Sequence, residues 1–470
     1  MFLYRVLKYL LFINFLTAAF LGLLGQELRA NPIKTKSPAK SRTIGASKIK
    51  ASTVALANWQ GIYGGLSAGS SFGGMNFDFE NRLQFDGFGT KGANFGALLG
   101  YNFRLADRWV TGVELAAESS DNAMDFSLAD NAYDYVKAKA TLDREMLLSG
   151  RIGYLLTPHT LLYSSVGTEA VHGKAGYSIY IDGYYSGSGS QQSDIYGIYF
   201  LSLGLETQLN NRWNTRFEYS EAMAQSAYKG PLGNTGTIAS DVGKAKFSLI
   251  YNFSEQSVLP EHDHQAIDWQ GPYIGGGVGR DKSVSKYDLS PSYSSYGYTL
   301  NDLYFDGIAS AGWSGNLVAG YNFCFNQKYI LGAEGTLSRS SSETLLSLGV
   351  NAQHATLDVT NPGSYGGRVR AGYLLWNDFL AYSYLGLSQN KTSVSLTSLG
   401  ASVLGHDVNY SRQGVDYGGG VETFISKKVS LRLEYGLSQL ETVNVVSGSP
   451  DYGQLYKINS NASAALLYHF

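Results

Sequence analysis

The chain has 470 residues, a formal net charge of −2 and one cysteine, and only 16% of its residues are charged. Glycine (56) and tyrosine (35) are abundant and 44% of residues are hydrophobic, which excludes a disordered chain and a collagen-like repeat. Because nucleic-acid-binding proteins concentrate positive charge on one folded face, the near-neutral balance gives no reason to expect nucleic acid as a partner. Cys324 has no second cysteine to bridge, so we expect a small apolar residue at a strand end.

The N-terminus has the order of an export signal. Residues 1–30 begin with Arg5 and Lys8, continue with an apolar run over 10–24 and end on Leu-Arg-Ala, which is typical of a secretory signal peptide; an uncleaved anchor is the alternative. No later stretch approaches the ~20 apolar residues of a membrane-spanning helix, so any further insertion must use strands. Residues 31–58 carry six Lys or Arg and no acid, which predicts a flexible basic segment, periplasmic after export.

The rest of the chain contains the same pattern twice. The opening Trp-Gln-Gly-Ile-Tyr-Gly-Gly at 59–65 returns as Trp-Gln-Gly-Pro-Tyr-Ile-Gly-Gly at 269–276, and each copy closes on a Tyr-x-Phe sequence. An internal repeat of this length indicates two structural units. We predict units at 59–253 and 269–470, joined by a polar linker at 254–268.

Alternating apolar and polar residues predict eight strands in each copy. The predicted strands of the first copy are 62–72, 93–103, 109–118, 144–156, 160–170, 195–207, 212–221 and 244–253. Those of the second copy are 272–280, 314–323, 329–338, 364–375, 379–389, 413–424, 428–438 and 459–470.

The connections between these strands alternate between short and long. Short turns are predicted at 104–107, 157–159, 209–211, 326–327, 376–378 and 426–427. Long loops are predicted at 119–143, 171–194, 222–243, 281–313, 339–363, 390–412 and 439–458. Tight periplasmic turns and long external loops are typical of outer-membrane barrels. The predicted fold is therefore all-β, a transmembrane antiparallel β-barrel: two tandem eight-stranded barrels, with one sixteen-stranded barrel as the alternative.

The alternation also predicts which side chains face lipid. In the second strand Phe95, Ala97, Leu99, Tyr101 and Phe103 share one face, and in the second copy Leu317, Ala319, Tyr321 and Phe323 do the same. The opposite faces carry a recurring charged set. Its members are Glu114, Arg151, Glu206, Arg216 and Glu218 in copy one, and Glu334, Arg370, Glu422, Arg432 and Glu434 in copy two.

A charge in hydrocarbon costs up to a few kcal/mol, so this set is expected to face the lumen. An eight-stranded barrel is only wide enough for its own side chains, so the charges would pair there as a structural network. An ion gate or binding site is the alternative role.

Several sequence motifs resemble a known family. The Trp-x-Gly-x-Tyr-x-Gly-Gly opening, Gly-Tyr-Asn-Phe at 100–103 and 320–323, Arg-x-Gly-Tyr at 151–154 and the aromatic last strand resemble the small outer-membrane β-barrels of alphaproteobacterial surface antigens and hemin-binding proteins. That family is similar in fold to the membrane domain of outer membrane protein A. The C-terminal alternation of Leu466, Tyr468 and Phe470 resembles the signal by which the barrel assembly machinery recognises such strands.

Catalytic and ligand motifs are weak. Gly-x-Ser-x-Gly occurs at 65–69 and 69–73, but it lies in a predicted strand and lacks the strand-turn-helix context of a nucleophile elbow. His172 and His354 are the histidines that could pair with a serine at the outer rim, and the linker pair His262 and His264 is too small a set for a metal site. Tyrosines in the loops offer a surface for heme or for adhesion: Tyr177, Tyr180, Tyr184, Tyr185, Tyr287, Tyr293, Tyr296 and Tyr298.

The sequence thus predicts a non-enzymatic integral outer-membrane protein of a Gram-negative envelope. Its variable extracellular loops would contact a surface ligand or host protein, and its strands would contact outer-membrane lipid. The alternatives are a porin or small-solute channel, if the strands close as one wide barrel, and heme binding through the Tyr/His-rich loops. No catalytic residue, metal or required cofactor is predicted.

Overall fold

The computed structural model describes residues 59–79, 83–131, 134–181, 185–229, 235–254, 267–289, 293–295, 298–300, 302–350, 353–397, 406–444 and 454–470. The predicted signal peptide, the basic segment, Tyr184, Tyr296 and the linker histidines lie outside these residues. Among the described residues there is no helix long and apolar enough to cross a membrane.

The described chain is built from β-strands. In chain order they are β1 Gly61–Phe79, β2 Leu83–Arg104, β3 Trp109–Asn131, β4 Asp134–Leu155, β5 Thr160–Ile181, β6 Tyr185–Gln208, β7 Trp213–Lys229, β8 Thr235–Asn252, β9 Gly271–Leu289, β10 Tyr293–Ser295, β11 Tyr298–Leu300, β12 Asp302–Phe325, β13 Tyr329–Val350, β14 Gln353–Trp376, β15 Phe379–Thr397, β16 His406–Phe424, β17 Val429–Asn444 and β18 Gln454–His469.

Sixteen long strands form one antiparallel sheet, while β10 and β11 form a small separate hairpin. Within each copy every long strand pairs with its chain neighbour. In addition β1 pairs with β8 from Tyr63↔Asn252 to Phe79↔Gly236, and β9 pairs with β18 from Tyr273↔His469 to Asp288↔Gln454. The first strand of each copy is therefore hydrogen-bonded along most of its length to the last strand of the same copy.

The two copies also share backbone pairing at one end of the sheet. β12 pairs with β3 over Asp302–Asp306, β13 pairs with β2 over Leu346–Leu348, and Ile308 of β12 pairs with Phe88 of β2. Through these links the sheet can be traced as one closed circuit of sixteen strands. The cross-copy segments are short compared with the pairing inside each copy.

The predicted short turns all lie at one end of the strands. At one end, here called the turn end, β2–β3, β4–β5, β6–β7, β12–β13, β14–β15 and β16–β17 are joined by two to four residues. In one of these turns Asn326 and Gln327 both have left-handed φ, as a tight hairpin requires. The opposite end is here called the hairpin end.

The predicted long loops are wrong in one respect, because most of their residues belong to strands. β3 continues to Asn131 and β4 starts again at Asp134, so the predicted loop 119–143 is a paired hairpin with two residues left between its strands. Register shifts at Ser119/Asn122 and Ala129/Asn131 accompany this extension. Alternation ends where the lipid-facing stripe ends, but hydrogen bonding between neighbouring strands continues beyond it.

The outward-facing side chains agree with the predicted apolar stripe. Phe95 and Leu99 of β2 are 64% and 54% exposed, and Leu317 of β12 is 60% exposed. The inward set, by contrast, is almost wholly buried, with Arg151 at 4% and Glu422 at 0%. Cys324 lies near the end of β12 as a free thiol, packed against apolar side chains.

Candidate functional site: two charged interiors

The structure brings the predicted charges of the first copy together inside β1–β8. Arg151 Nη2 lies 2.8 Å from Glu206 Oε2, and Arg216 Nη1 lies 2.8 Å from Glu114 Oε2. Arg216 also donates from Nε to Glu206 Oε2 at 3.1 Å, so the two arginines share one carboxylate. Glu218 lies beside them and receives Lys246 Nζ at 3.5 Å. The group forms a continuous charged layer across the interior.

The second copy repeats this layer with one additional arginine. Arg370 Nη1 lies 2.8 Å from Glu422 Oε2, and Arg432 Nη2 lies 2.9 Å from Glu334 Oε1 and 3.0 Å from Glu422 Oε2. Arg368 holds Glu434 with two parallel bonds of 2.6 and 2.8 Å, a bidentate arrangement that neutral donors cannot reproduce. Arg368 was not predicted, although its position two residues before Arg370 places it on the same strand face.

Four tyrosines complete the two layers, and sequence reasoning missed them. Tyr63 Oη donates to Glu114 at 2.8 Å and Tyr163 Oη to Glu218 at 2.5 Å; Tyr273 and Tyr382 do the same for Glu334 and Glu434 at 2.5 Å each. The Arg151 guanidinium carbon lies 4.2 Å from the centre of the Tyr163 ring. The sequence does contain a signal for these tyrosines: they lie on the inward faces of strands, opposite glycines that leave room for an aromatic ring.

A close approach to glycine makes room for each ring. Tyr63 pairs directly with Gly100 across β1 and β2, and a Cβ added to Gly100 would lie 2.3 Å from Tyr63 Cζ. At the equivalent place in copy two, a Cβ on Gly320 would lie 2.5 Å from Tyr273 Oη. Both distances are far inside van der Waals contact.

We therefore expect Gly100→Ala to destabilise the first copy by about 1–3 kcal/mol, because the Tyr63 ring must leave its place over β2. Gly150→Ala is the matched control, since an added Cβ at Gly150 meets nothing within 4 Å. The urea midpoint of the protein refolded into liposomes measures the difference. Equal midpoints for the two variants would contradict the role assigned to the glycine.

Apolar side chains close both interiors at the turn end. In copy one the cluster is Trp59, Val110, Leu155, Leu161 and Tyr163. In copy two it is Trp269, Ile330, Leu374, Leu380, Tyr382 and Phe424. Each tryptophan is anchored to a turn: Trp59 Nε1 donates to the Pro158 carbonyl at 3.4 Å and Trp269 Nε1 to the Asn377 carbonyl at 2.7 Å. The repeated Trp-Gln-Gly opening therefore supplies the plug of each interior.

Toward the hairpin end the interior of copy one is filled. Lys246 Nζ lies 2.6 Å from Glu118, and Lys244 lies between Glu169, at 2.9 Å, and Glu145. An apolar cluster of Leu147, Val171, Ile198, Phe200 and Ala222 lies in the same part of the interior. Glu118, Glu145 and Glu169 were not among the predicted interior charges.

Copy two has small polar residues where copy one has this second layer. Equivalent positions are found by counting along each strand from a residue that both copies share: Glu114/Glu334, Arg151/Arg370, Tyr163/Tyr382 and Phe253/Phe470. In copy two the positions of Glu118, Glu145, Glu169 and Lys244 are occupied by Ser338, Ser364, Ser388 and Asn461, respectively. The shorter side chains leave a cavity of about 160 Å³ above the Arg368–Glu434 pair. The two copies thus share one charged layer and differ above it.

A further charged group lies on the outward faces of the strands. Arg280 and Lys282 of β9 share the face of the exposed Ile274, yet they pair with Glu221 of β7 and Asp241 of β8, which face outward from the first copy. Lys282 Nζ lies 2.8 Å from Glu221 Oε1, and Arg280 Nε lies 3.2 Å from the same atom. These ion pairs join the two copies. No sequence motif predicted them.

Other contacts join the same faces nearer the turn end. Trp376 stacks on His159 with ring centres 3.9 Å apart and donates from Nε1 to the Gln208 carbonyl at 2.6 Å. Ser70 Oγ lies 3.3 Å from Tyr435 Oη. Outward apolar residues in this region are buried, among them Leu205 and Phe217 of copy one and Leu431 and Leu433 of copy two. Copy one and copy two therefore contact each other along much of the strand length.

The Gly-x-Ser-x-Gly motifs and His172 do not lie in the structural context that catalysis would need. Both Gly-x-Ser-x-Gly matches lie inside β1, which is regular strand, and His172 lies within β5. Among the described residues no group of three or more His, Cys, Asp or Glu could hold a metal. Tyr177 and Tyr180 lie in β5 and Tyr287 in β9; heme binding by these segments stays a prediction.

Comparison with known proteins identifies the class of fold. Residues 257–470 match the model of the outer membrane protein beta-barrel domain. This match supports an outer-membrane β-barrel, with the outer membrane as its location. The comparison with curated proteins gives no match.

Some solved structures match less than half of the chain and others match most of it. Neisserial surface protein A is 17% identical, with a TM-score of 0.25, and the match covers 43% of this chain and 97% of that one. The attachment invasion locus protein Ail of Yersinia pestis is 14% identical, with a TM-score of 0.22 and coverage of 42% and 99%. A Pseudomonas aeruginosa FadL homologue is 10% identical, with a TM-score of 0.26 and coverage of 87% and 90%.

Proposed function

We propose that this chain is a non-enzymatic outer-membrane protein of two tandem eight-stranded barrels. It anchors in the membrane and presents its hairpin end to the exterior without conducting solutes. The observation that carries the proposal is the continuous buried charged layer across each interior, closed at the turn end by a tryptophan-centred apolar cluster.

The pairing of first and last strands supports two barrels. β1 and β8 pair over most of their lengths, as do β9 and β18, so each copy has no free edge on its own. The links from β2 to β13 and from β3 to β12 cover three and five residue pairs. Two barrels whose rims touch at the hairpin end account for both the long and the short pairings.

Side chains fill most of the interior of each copy, and this filling supports the proposal that the protein has no path for solutes. An eight-stranded barrel has room for side chains and little more, whereas porins with 16–18 strands leave an aqueous channel. The interior of copy one is filled by two charged layers and two apolar clusters. Copy two keeps the charged layer and the turn-end plug, so its cavity ends blindly at Arg368 and Glu434.

The outward stripe supports membrane insertion with the turn end toward the periplasm. Apolar residues that face outward are half or more exposed on most strands, as lipid contact requires. At the end of the chain Tyr468 and Phe470 are exposed and in edge-to-face contact, with ring centres 5.3 Å apart. Together with Leu466 they are available to the barrel assembly machinery before insertion.

The hairpin end supports a role in surface contact. Several strand pairs continue beyond the apolar stripe as hairpins, such as β3–β4, whose sequence is not repeated in the second copy. Barrel scaffolds tolerate such variation because loops and hairpins outside the membrane do not contribute to closure. Contact with a surface ligand or a host protein is therefore assigned to these hairpins.

The rival function is a wide diffusion channel. The observation in its favour is the sixteen-strand circuit that the sheet forms through its cross-copy links. That circuit keeps the β1–β8 and β9–β18 pairings, so a channel of this kind would require the β2–β3 and β12–β13 pairings to open, with loss of most of their backbone hydrogen bonds.

Conductance of the refolded full chain in a planar bilayer separates these functions. We expect no porin-like steps, because both interiors are blocked by paired charges and apolar clusters. Unfolded protein added to the same bilayer controls for non-specific leakage. Large, stable steps from folded protein would overturn the two-barrel proposal and favour the channel.

A further inference from the structure

Two buried cations of the second copy, Arg412 and Lys457, lie on strands that also contribute residues to the cavity wall. Arg412 of β16 is 5% exposed, and its Nε and Nη1 atoms have no hydrogen-bond partner. Lys457 of β18 is also 5% exposed, and its Nζ donates to the amide oxygen of Asn361. Among the described residues, no carboxylate lies within ion-pair distance of either side chain.

Both cations face the same interior. Arg412 pairs in register with Asn390, which lines the cavity, so the two side chains point to one side of the sheet. Lys457 shares its strand face with Asn459 and Asn461, which also line the cavity. The Asn361 side chain links Lys457 to the cavity, because it lines the cavity and its amide oxygen accepts a hydrogen bond from Lys457 Nζ.

The two aspartates that line the cavity accept hydrogen bonds from neutral side chains. Asp416 accepts a hydrogen bond from Ser388 at 2.7 Å, and Asp281 accepts one from Asn461. The three arginines and three glutamates of the layer below balance one another. A buried charge without a partner is costly, and a bound anion is the usual way to offset it.

The rest of the cavity wall matches hydroxyl groups. It is lined by serine hydroxyls and asparagine amides, and the Asn459 side-chain oxygen is buried without a hydrogen-bond partner. A volume of about 160 Å³ is close to that of protein cavities that hold a single six-membered ring. Of the aliphatic residues beside the cavity, Val318 and Ala465 face the interior, whereas Leu317, Leu337 and Leu437 lie on outward faces.

We propose that the second copy binds a small hydroxylated acid, such as a sugar acid, in this cavity. The acid group lies between Arg412 and Lys457, and the hydroxyl groups contact the Ser/Asn wall. The site is a blind cup entered from the hairpin end, so binding does not require conduction. The first copy has no such site, because Lys244, Lys246 and their glutamate partners fill the equivalent space.

Titration calorimetry of the refolded full chain with glucuronate tests the site, with glucose as the neutral probe. We expect glucuronate to bind and glucose to bind at least about tenfold more weakly, since a hydrogen bond to a charged group is worth roughly that factor. Arg412→Gln and Lys457→Gln should each weaken glucuronate binding about tenfold. Lys328→Gln, which removes an exposed charge at the turn end of the same copy, should leave it unchanged.

Three results would overturn the proposal. They are the absence of glucuronate binding to the unaltered protein, equal affinity of the unaltered and Arg412→Gln proteins, and equal affinity for inorganic phosphate and glucuronate, which would remove the role of the hydroxyl-lined wall. Heat-modifiable migration in gels establishes that each variant is folded. A failure of binding leaves the conductance result untouched, so the two proposals fail separately.

Discussion

Arg151→Ala is expected to lower the stability of the first copy by about 3–5 kcal/mol. The guanidinium lies within 2.8 Å of Glu206 and stacks against Tyr163, and its removal leaves buried carboxylates with too few partners. Arg216 keeps its contacts to Glu114 and Glu206, but it cannot also supply the second guanidinium that Glu206 now has. The loss should exceed that of any single surface substitution in this chain.

The urea midpoint of unfolding in liposomes measures this loss, with Arg104→Ala as the control. Arg104 is a strand-end arginine that donates only to the turn carbonyls of Ala106 and Asp107. Arg370→Ala provides the equivalent test in copy two, where it removes the 2.8 Å contact to Glu422. If Arg151→Ala and Arg104→Ala had the same midpoint, the charged layer would not stabilise the fold.

Reversing the acids of the inter-copy cluster should have the second large effect. In the Glu221→Lys, Asp241→Lys double variant, four cations would meet on buried outward faces where two cations and two carboxylates now form four ion pairs. We expect a loss of at least about 3 kcal/mol, because like charges replace attraction in a site that lipid cannot solvate. The urea midpoint in liposomes again measures the loss.

The complementary reversal tests whether pairing is the cause. Adding Arg280→Glu and Lys282→Glu to the double variant restores opposite charges across the contact and should recover most of the lost stability. Recovery shows that the two copies are joined by these residues in the membrane. A quadruple variant as unstable as the double variant would mean that the substitutions act within each copy and that the contact between the copies is not ionic.

Alternation along each strand made the lipid and interior faces predictable from the sequence. The side-chain period of a strand is two, so Phe95, Leu99 and Phe103 necessarily share a face, and a charge such as Glu114 must take the opposite one. The repeat then assigned the same faces in copy two. This reasoning placed ten charged residues on inward faces, and the structure brings them together in two clusters, one in each copy.

Hydrogen bonding beyond the apolar stripe could not be predicted in this way. In β3 the polar run over 118–122 and the register shift at Ser119/Asn122 interrupt the alternation, although backbone pairing continues and Met124, Phe126 and Leu128 alternate with polar residues further along. Residues such as Asn131 and Asp134 were therefore predicted to lie in a loop, although they pair across a tight hairpin. The same loss of pattern hid the cross-copy pairing of β3 with β12.

The sequence by itself determined the strand class, the two repeats, the inward charges and the tryptophan opening of each copy, because all of these follow from local periodicity and repetition. Only the tertiary structure decided which charges meet: Arg368 with Glu434, and Arg280 with Asp241 across the two copies. It also decided that one interior is filled while the other keeps a cavity. Partner choice depends on how far each strand is staggered against its neighbour, and stagger is a property of sheet closure that no single strand encodes.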